Sequence, residues 1–297
     1  MIETHALEKK YRSCGALKGL SLSVPRGSAF ALVGANGAGK TTLIKILMNL
    51  IQPTSGTAEV MAVDSRRLSP EQFRCIGYVS ENQELPTRLS VVAYLKYLRP
   101  FYTDWDLTLE REFLAQFRLP TDRKIQDLSH GMRVKLALIC ALAFRPTLLI
   151  LDEPFSGLDP LVRDELMEGL AAHAGHMTIL ISSHELTEVE GFATDIGFLD
   201  KGKLLFQESM ETLADRIQQV TVTVERQGAL NGKKPDSWLD FRQVGNVLTF
   251  VDTQFSECDL GERIRSRIDG VRGIDVQPMS LRSIFTSISR ATRQEQG

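Results

Sequence analysis

The chain has 297 residues, 43% of them hydrophobic, enough for one large domain or a large and a small one, and its totals do not suggest disorder. Its 35 lysines and arginines stand against 37 aspartates and glutamates, and a net charge of -2 offers no global field for holding nucleic acid by its phosphates. Four cysteines, Cys14, Cys75, Cys140 and Cys258, include no C-x-x-C pair, which argues against a disulfide frame or zinc site and fits reduced thiols in a cytosolic protein.

The N-terminal residues carry charges where a signal peptide needs an apolar core, so secretion is not expected. The longest apolar runs, 136–144 and 148–151, fall far below the roughly 20 residues that span a bilayer. Any membrane link is expected to come through a partner.

Residues 28–34, SAFALVG, form a short apolar run ending in glycine, and TTLIKILMNLI after it repeats apolar residues at helical spacing, which predicts strand, glycine loop and helix. The loop itself, GANGAGKTT at 34–42, satisfies G-x-x-x-x-G-K-[ST] in the strand-to-helix setting its mechanism demands. Its backbone amides, over Gly34, Asn36, Gly37, Ala38, Gly39 and Thr42, are expected to wrap phosphates, with Lys40 on the β and γ oxygens and the Thr41 hydroxyl on Mg²⁺.

Residues 90–145 show helical periodicity and few strand signals, the pattern of an inserted helical lobe. Within it Leu128-Ser129-His130-Gly131-Met132 precedes an apolar helix, so Ser129 reads as an N-cap and its surroundings as an anion site with no obvious phosphate in the same chain. A buried strand follows at 147–151, closed by Asp152 and Glu153. In a chain with a phosphate loop, Asp152 is placed to hold Mg²⁺ through water and Glu153 to face a nucleophilic water. A third strand, 177–183, is closed by His184, where an imidazole can meet a γ-phosphate or the attacking water. After residue 218 the pattern changes to two strand-like runs, VTVTVE and NVLTFVD, and two helical ones, the second LRSIFTSISRAT.

In this order the motifs over residues 2–216 resemble the ATP-binding cassette (ABC) ATPases. GANGAGKTT resembles the family's Walker A, LSHGM its signature loop, LLILDEP its Walker B, SGLD at 156–159 its D-loop and SSH at 182–184 its switch histidine. The resemblance implies an α/β fold: a P-loop NTPase cassette over 1–217, RecA-like with a helical subdomain at about 90–145, and a small α+β accessory domain at 218–297. It implies ATP hydrolysis with Mg²⁺, Glu153, His184 and Lys40 being catalytic and Thr41 and Asp152 holding the metal. Tyr11 lies where the family places an aromatic on adenine, though a packed strand tyrosine is the plain alternative. The family's head-to-tail dimer of two cassettes would supply the phosphate for Ser129 and Gly131 in trans.

Some positions depart from the pattern. His130 and Met132 stand where the usual LSGGQ has its first glycine and its glutamine, and within IGYVSENQ the metal-sensing glutamine position falls on Glu81, which can still face Mg²⁺ through water. The variant signature and the single cassette with its appendage resemble type-2 exporters, including drug and antibiotic-peptide pumps. That implies a cytoplasmic subunit, peripheral on the inner face of the membrane through separate integral permease chains, whose motion reaches the permease through the lobe near 90–117. No nucleic-acid partner is expected. The alternative is a soluble cassette acting on ribosomes or DNA, whose relatives usually carry two cassettes or a long coiled coil.

Overall fold

The structure, a computed structural model, describes residues 1–12, 14–175, 177–226 and 230–294. It separates into two units, Met1–Gln207 and Glu208–Gly297.

The first unit opens with a hairpin of β1 (Ile2–Tyr11) and β2 (Cys14–Val24), antiparallel with Ile2 opposite Val24. β3 (Ala29–Val33) is buried at every position and leads through the glycine loop into α1 (Lys40–Leu47). β4 (Ser55–Val60) and β5 (Val63–Asp64) complete a four-stranded sheet in the order β2-β1-β4-β5. The short α2 (Pro70–Phe73) starts at a Ser69 cap with proline at its first position, then β6 (Ile76–Ser80) follows.

Three helices make the lobe: α3 (Val91–Leu98), α4 (Leu107–Gln116) and α5 (His130–Leu142), capped by Ser90, Asp106 and Ser129. Inside the lobe the buried Glu110 carboxylate takes Arg99 at 2.6 Å and the Trp105 Nε1 donor at 2.7 Å, so its charge is paired. β7 (Leu148–Asp152), α6 (Pro160–Ala174), β8 (Thr178–Ser183), β9 (Asp195–Asp200) and most of β10 (Lys203–Ser209) complete the unit.

The second sheet has the order β10-β9-β3-β8-β7-β6, with β9, β3, β8, β7 and β6 paired in parallel. Full burial of β3, β7 and β8 explains their unbroken apolar runs, since a central parallel strand has no solvent face. Leu20 and Leu22 of the hairpin, Phe30 and Leu32 of β3, and Leu43 and Leu47 of α1 share one core. Register decides the rest. Val33 pairs with Ser183 and Asp152 with Ser182, so the segments leaving β3, β7 and β8 emerge side by side at the C-terminal edge, where open parallel sheets bind ligands.

The second unit holds α7 (Met210–Arg216), β11 (Gln218–Val224), β12 (Trp238–Val244), β13 (Val247–Asp252), α8 (Leu260–Arg265), β14 (Val271–Pro278) and α9 (Leu281–Gln294). Its antiparallel sheet runs β12-β13-β11-β14 over a core that includes Val220, Val222, Trp238, Phe250 and Ile264. The change of pattern expected at 218 follows α7, which lies in this unit. β12 and β14 escape the sequence pattern for physical reasons. A bulge with Asp240 at φ 48° breaks the alternation of β12, and β14 is an edge strand with little burial.

Candidate functional site

The loop after β3 can take its path only because of its glycines. A methyl at Gly34 would stand 2.2 Å from the Leu199 carbonyl oxygen, and Gly39 has φ +114° with the Ala16 oxygen 2.6 Å from where a Cβ would be. The loop ends on α1, whose first residue, Lys40, is buried. Its ammonium donates to the Gly34 carbonyl at 2.5 Å and the Ala35 carbonyl at 3.2 Å, and meets Glu153 Oε1 at 3.0 Å.

Glu153 follows β7 with φ 51°, a left-handed conformation rare for glutamate, held by its own N–H donating to Ser182 Oγ at 3.0 Å. Its second carboxylate oxygen lies 2.6 Å from His184 Nδ1. That hydrogen bond pushes the His184 pKa upward, against partial desolvation, and favours the imidazolium. Lys40, Glu153 and His184 are thus linked through the two Glu153 carboxylate oxygens.

Asp152 Oδ1 accepts from Ser182 Oγ at 2.8 Å and from Thr41 Oγ1 at 3.1 Å. Burial raises its pKa, while those two hydroxyls pull it down. Glu81 is brought alongside because its backbone N–H donates to the Asp152 carbonyl at 2.8 Å.

A cavity of about 320 Å³ joins these groups, lined by Ala16, Asn36, Gly37, Ala38, Gly39, Lys40, Thr41, Thr42, Glu81, Glu153, Ser156 and His184. Gly34 and Asp152 stand behind that wall, in contact with Lys40 and Thr41. Tyr11, Ser129 and Gly131 are not in it. Tyr11 ends β1 with its ring exposed and the Lys9 ammonium 5.1 Å from its centroid. Ser129 Oγ accepts from Met132 N–H at 3.3 Å, capping α5. His130 Nε2 sits 3.1 Å from the Ser156 carbonyl oxygen, a tie from the signature-like loop to a cavity-lining segment. Ala16 carries no signal in the sequence, and Ser156 and Ser182 fall within the SGLD and SSH motifs without being given a role of their own there.

A strand-loop-helix phosphate cradle, paired carboxylates and a histidine at one sheet edge define a P-loop ATPase of the cassette type. Residues 17–156 match the ABC transporter family, and the chain belongs to it as an ATP-hydrolysing ATP-binding subunit. It is 35% identical over 214 residues to the lantibiotic transport ATP-binding protein SrtF of Streptococcus pyogenes, covering 71% of this chain and 92% of that one. Over nearly its whole length it is similar to YhaQ of Bacillus subtilis (strain 168), an uncharacterized ABC transporter ATP-binding protein, at 28% identity over 298 residues, 96% of this chain and 97% of YhaQ. A dimeric ATP-binding cassette solved in a post-hydrolysis state with ADP and Pi shares the fold, with a TM-score of 0.63 at 23% identity over 71% of this chain and 99% of that one. Among the described residues no helix is long and apolar enough to cross a membrane.

Proposed function

We propose that the chain powers a membrane exporter whose channel is built by separate transmembrane chains, as a cytoplasmic subunit held at the inner face through them. The observation that carries the hydrolytic part is the convergence of the phosphate loop, Glu153 and His184 on one cavity, with Asp152 behind it on the Thr41 hydroxyl. Lys40 leaves Glu153 for the β and γ oxygens of ATP, Glu153 then polarises the attacking water, and His184 holds the γ-phosphate as charge develops. Asn36 to Thr42 wrap the phosphates and Tyr11 stacks on the base.

Thr41 on the cavity wall, Asp152 behind it at 3.1 Å from the Thr41 hydroxyl, and Glu81 on the wall form an all-oxygen donor set that suits Mg²⁺. Bound there, Mg²⁺ supplies neutralisation of phosphate charge. Ser182 keeps Asp152 and the Glu153 backbone in register for that arrangement.

Ser129 and Gly131 sit outside their own chain's cavity, which supports a head-to-tail dimer in which they reach the γ-phosphate held by a second cassette. Exposed Tyr97 and Phe101, edge to face at 5.4 Å, and exposed Leu107 offer the helical lobe an apolar surface for a permease helix. The similarity to a lantibiotic transport subunit favours a peptide or drug cargo over work on ribosomes or DNA.

The test is capture of the tagged protein from detergent-solubilised cells. Co-purification of a multi-span membrane chain is the expected result, and recovery with ribosomal proteins alone overturns the exporter reading.

A further inference from the structure

The accessory unit carries a cationic cavity that hydrolysis does not use. α9 packs against β12, and two adjoining cavities of about 460 and 750 Å³ share Asp240, Arg242, Ser287 and Arg290 in their walls. Arg282 adds to the first, Lys233 and Lys234 to the second. Five cations therefore meet two carboxylates, Asp240 and Asp236, an excess of three positive charges in a chain whose net charge is -2.

The carboxylates do little to neutralise them. Asp240 accepts from Ser287 Oγ at 2.7 Å and lies 3.8 Å from Arg290. Arg242, Arg282 and Lys233 have no carboxylate within ion-pair distance among the described residues, whereas Arg263 in the same unit meets buried Asp252 at 2.7 Å. Lys234 is steered by donating to the Trp238 carbonyl at 3.0 Å. The backbone is shaped to the cavity too. The pairing of β12 with β13 jumps from Leu239↔Val251 to Arg242↔Thr249, the extra residue falling around Asp240 at φ 48°, and such bulges re-aim side chains.

Like charges gathered in one concavity repel unless an anion completes them, and guanidinium groups are matched to oxyanions that accept two parallel N–H bonds. Both volumes are of small-ligand size. An excess of three charges calls for two or more negative charges on one compact group, which is phosphate chemistry. We propose that this cavity of the accessory unit binds a phosphate-bearing ligand, separate from the ATP held by the phosphate loop.

Calorimetry of the full chain with inorganic pyrophosphate should resolve two sites, one on each unit. Arg242→Gln with Arg282→Gln should weaken the accessory site at least about tenfold per lost charge-assisted hydrogen bond, with basal ATPase unchanged, and Lys40→Ala should weaken only the other site. Asp240→Asn keeps an acceptor for Ser287 and suits a left-handed backbone, so it should tighten the accessory site severalfold. Cosedimentation with phosphatidylcholine vesicles containing phosphatidic acid separates the sources. Capture of the wild type but not the double variant identifies a lipid headgroup, and pyrophosphate binding without capture identifies a soluble phosphate. A single pyrophosphate site abolished by Lys40→Ala, with no vesicle capture, overturns the proposal. So does accessory binding or vesicle capture indifferent to both the arginine and the Asp240 substitutions.

Discussion

Replacing Glu153 by Gln separates the resting role of this carboxylate from its chemical one. Lys40 is 5% exposed and Glu153 7%, and the ammonium meets Oε1 at 3.0 Å. Removing one member of a buried ion pair costs about 3–5 kcal/mol, because the survivor is left charged and dry. Lys40 keeps the Gly34 and Ala35 carbonyls and borders the cavity, which puts the loss at the low end. A loss of about 3 kcal/mol lowers the melting temperature of a domain of this size by about 6–12 °C. ATP should restore it. In the wild type the γ-phosphate competes with Glu153 for Lys40; in the variant it does not, so ATP affinity should rise by about tenfold or more while hydrolysis falls about 10²–10⁴-fold. Thermal unfolding with and without MgATP, calorimetry and single-turnover hydrolysis read the three effects. A variant as stable as the wild type, with equal ATP affinity, refutes the competition, and wild-type turnover removes Glu153 from the chemistry.

Lys40→Ala should abolish hydrolysis and weaken ATP binding, since it removes the cation aimed at the β and γ oxygens; unchanged affinity in calorimetry with continued turnover would contradict the loop's assignment. Ser129→Arg should leave ATP binding by the monomer intact and prevent the closed dimer, and light scattering that finds ATP-driven dimers of the variant counts against the sandwich. Ser182→Ala leaves the Glu153 N–H and one Asp152 oxygen short of a buried partner, a loss of about 1–3 kcal/mol measurable by denaturant unfolding. The His184 pKa is raised above its ordinary 6.5 by Glu153, so its stabilising contribution is complete below about 6.5 and is lost as pH climbs through the higher folded value. The difference in melting temperature between wild type and His184→Ala should therefore shrink as pH rises from 6 toward 9, and a gap that widens would show the histidine to be neutral.

Much of the cassette is legible because its chemistry sits at strand ends. Full burial gives β3, β7 and β8 short apolar runs, and the polar residues that follow each run fall at or just past the end of the strand. Glu81 is reached only through the family resemblance, since no strand reading of the sequence covers β6, which it follows beside β7. The N-terminal hairpin gave a weaker signal, as its register slips between Thr4 and Leu7 and again between Lys9 and Lys10, which breaks the period of two. β12 is hidden in the same way by its bulge.

What periodicity cannot carry is the meeting of residues across elements. Glu153 and His184 are 31 positions apart, and nothing local says that their side chains touch. They do because β7 and β8 pair in parallel with Asp152 opposite Ser182, which sets the residues just beyond each strand side by side. The same register explains why Ser182 holds both the Asp152 carboxylate and the Glu153 backbone, a role that requires knowing which strand is its neighbour. His130 teaches the converse. From the sequence it is only a departure from the first glycine of the usual signature loop, whereas in the fold its ring reaches the Ser156 carbonyl at 3.1 Å. A glycine there has no side chain to make that link, so the substitution replaces loop freedom with a tie between the signature-like loop and the wall of the cavity that the phosphate loop lines.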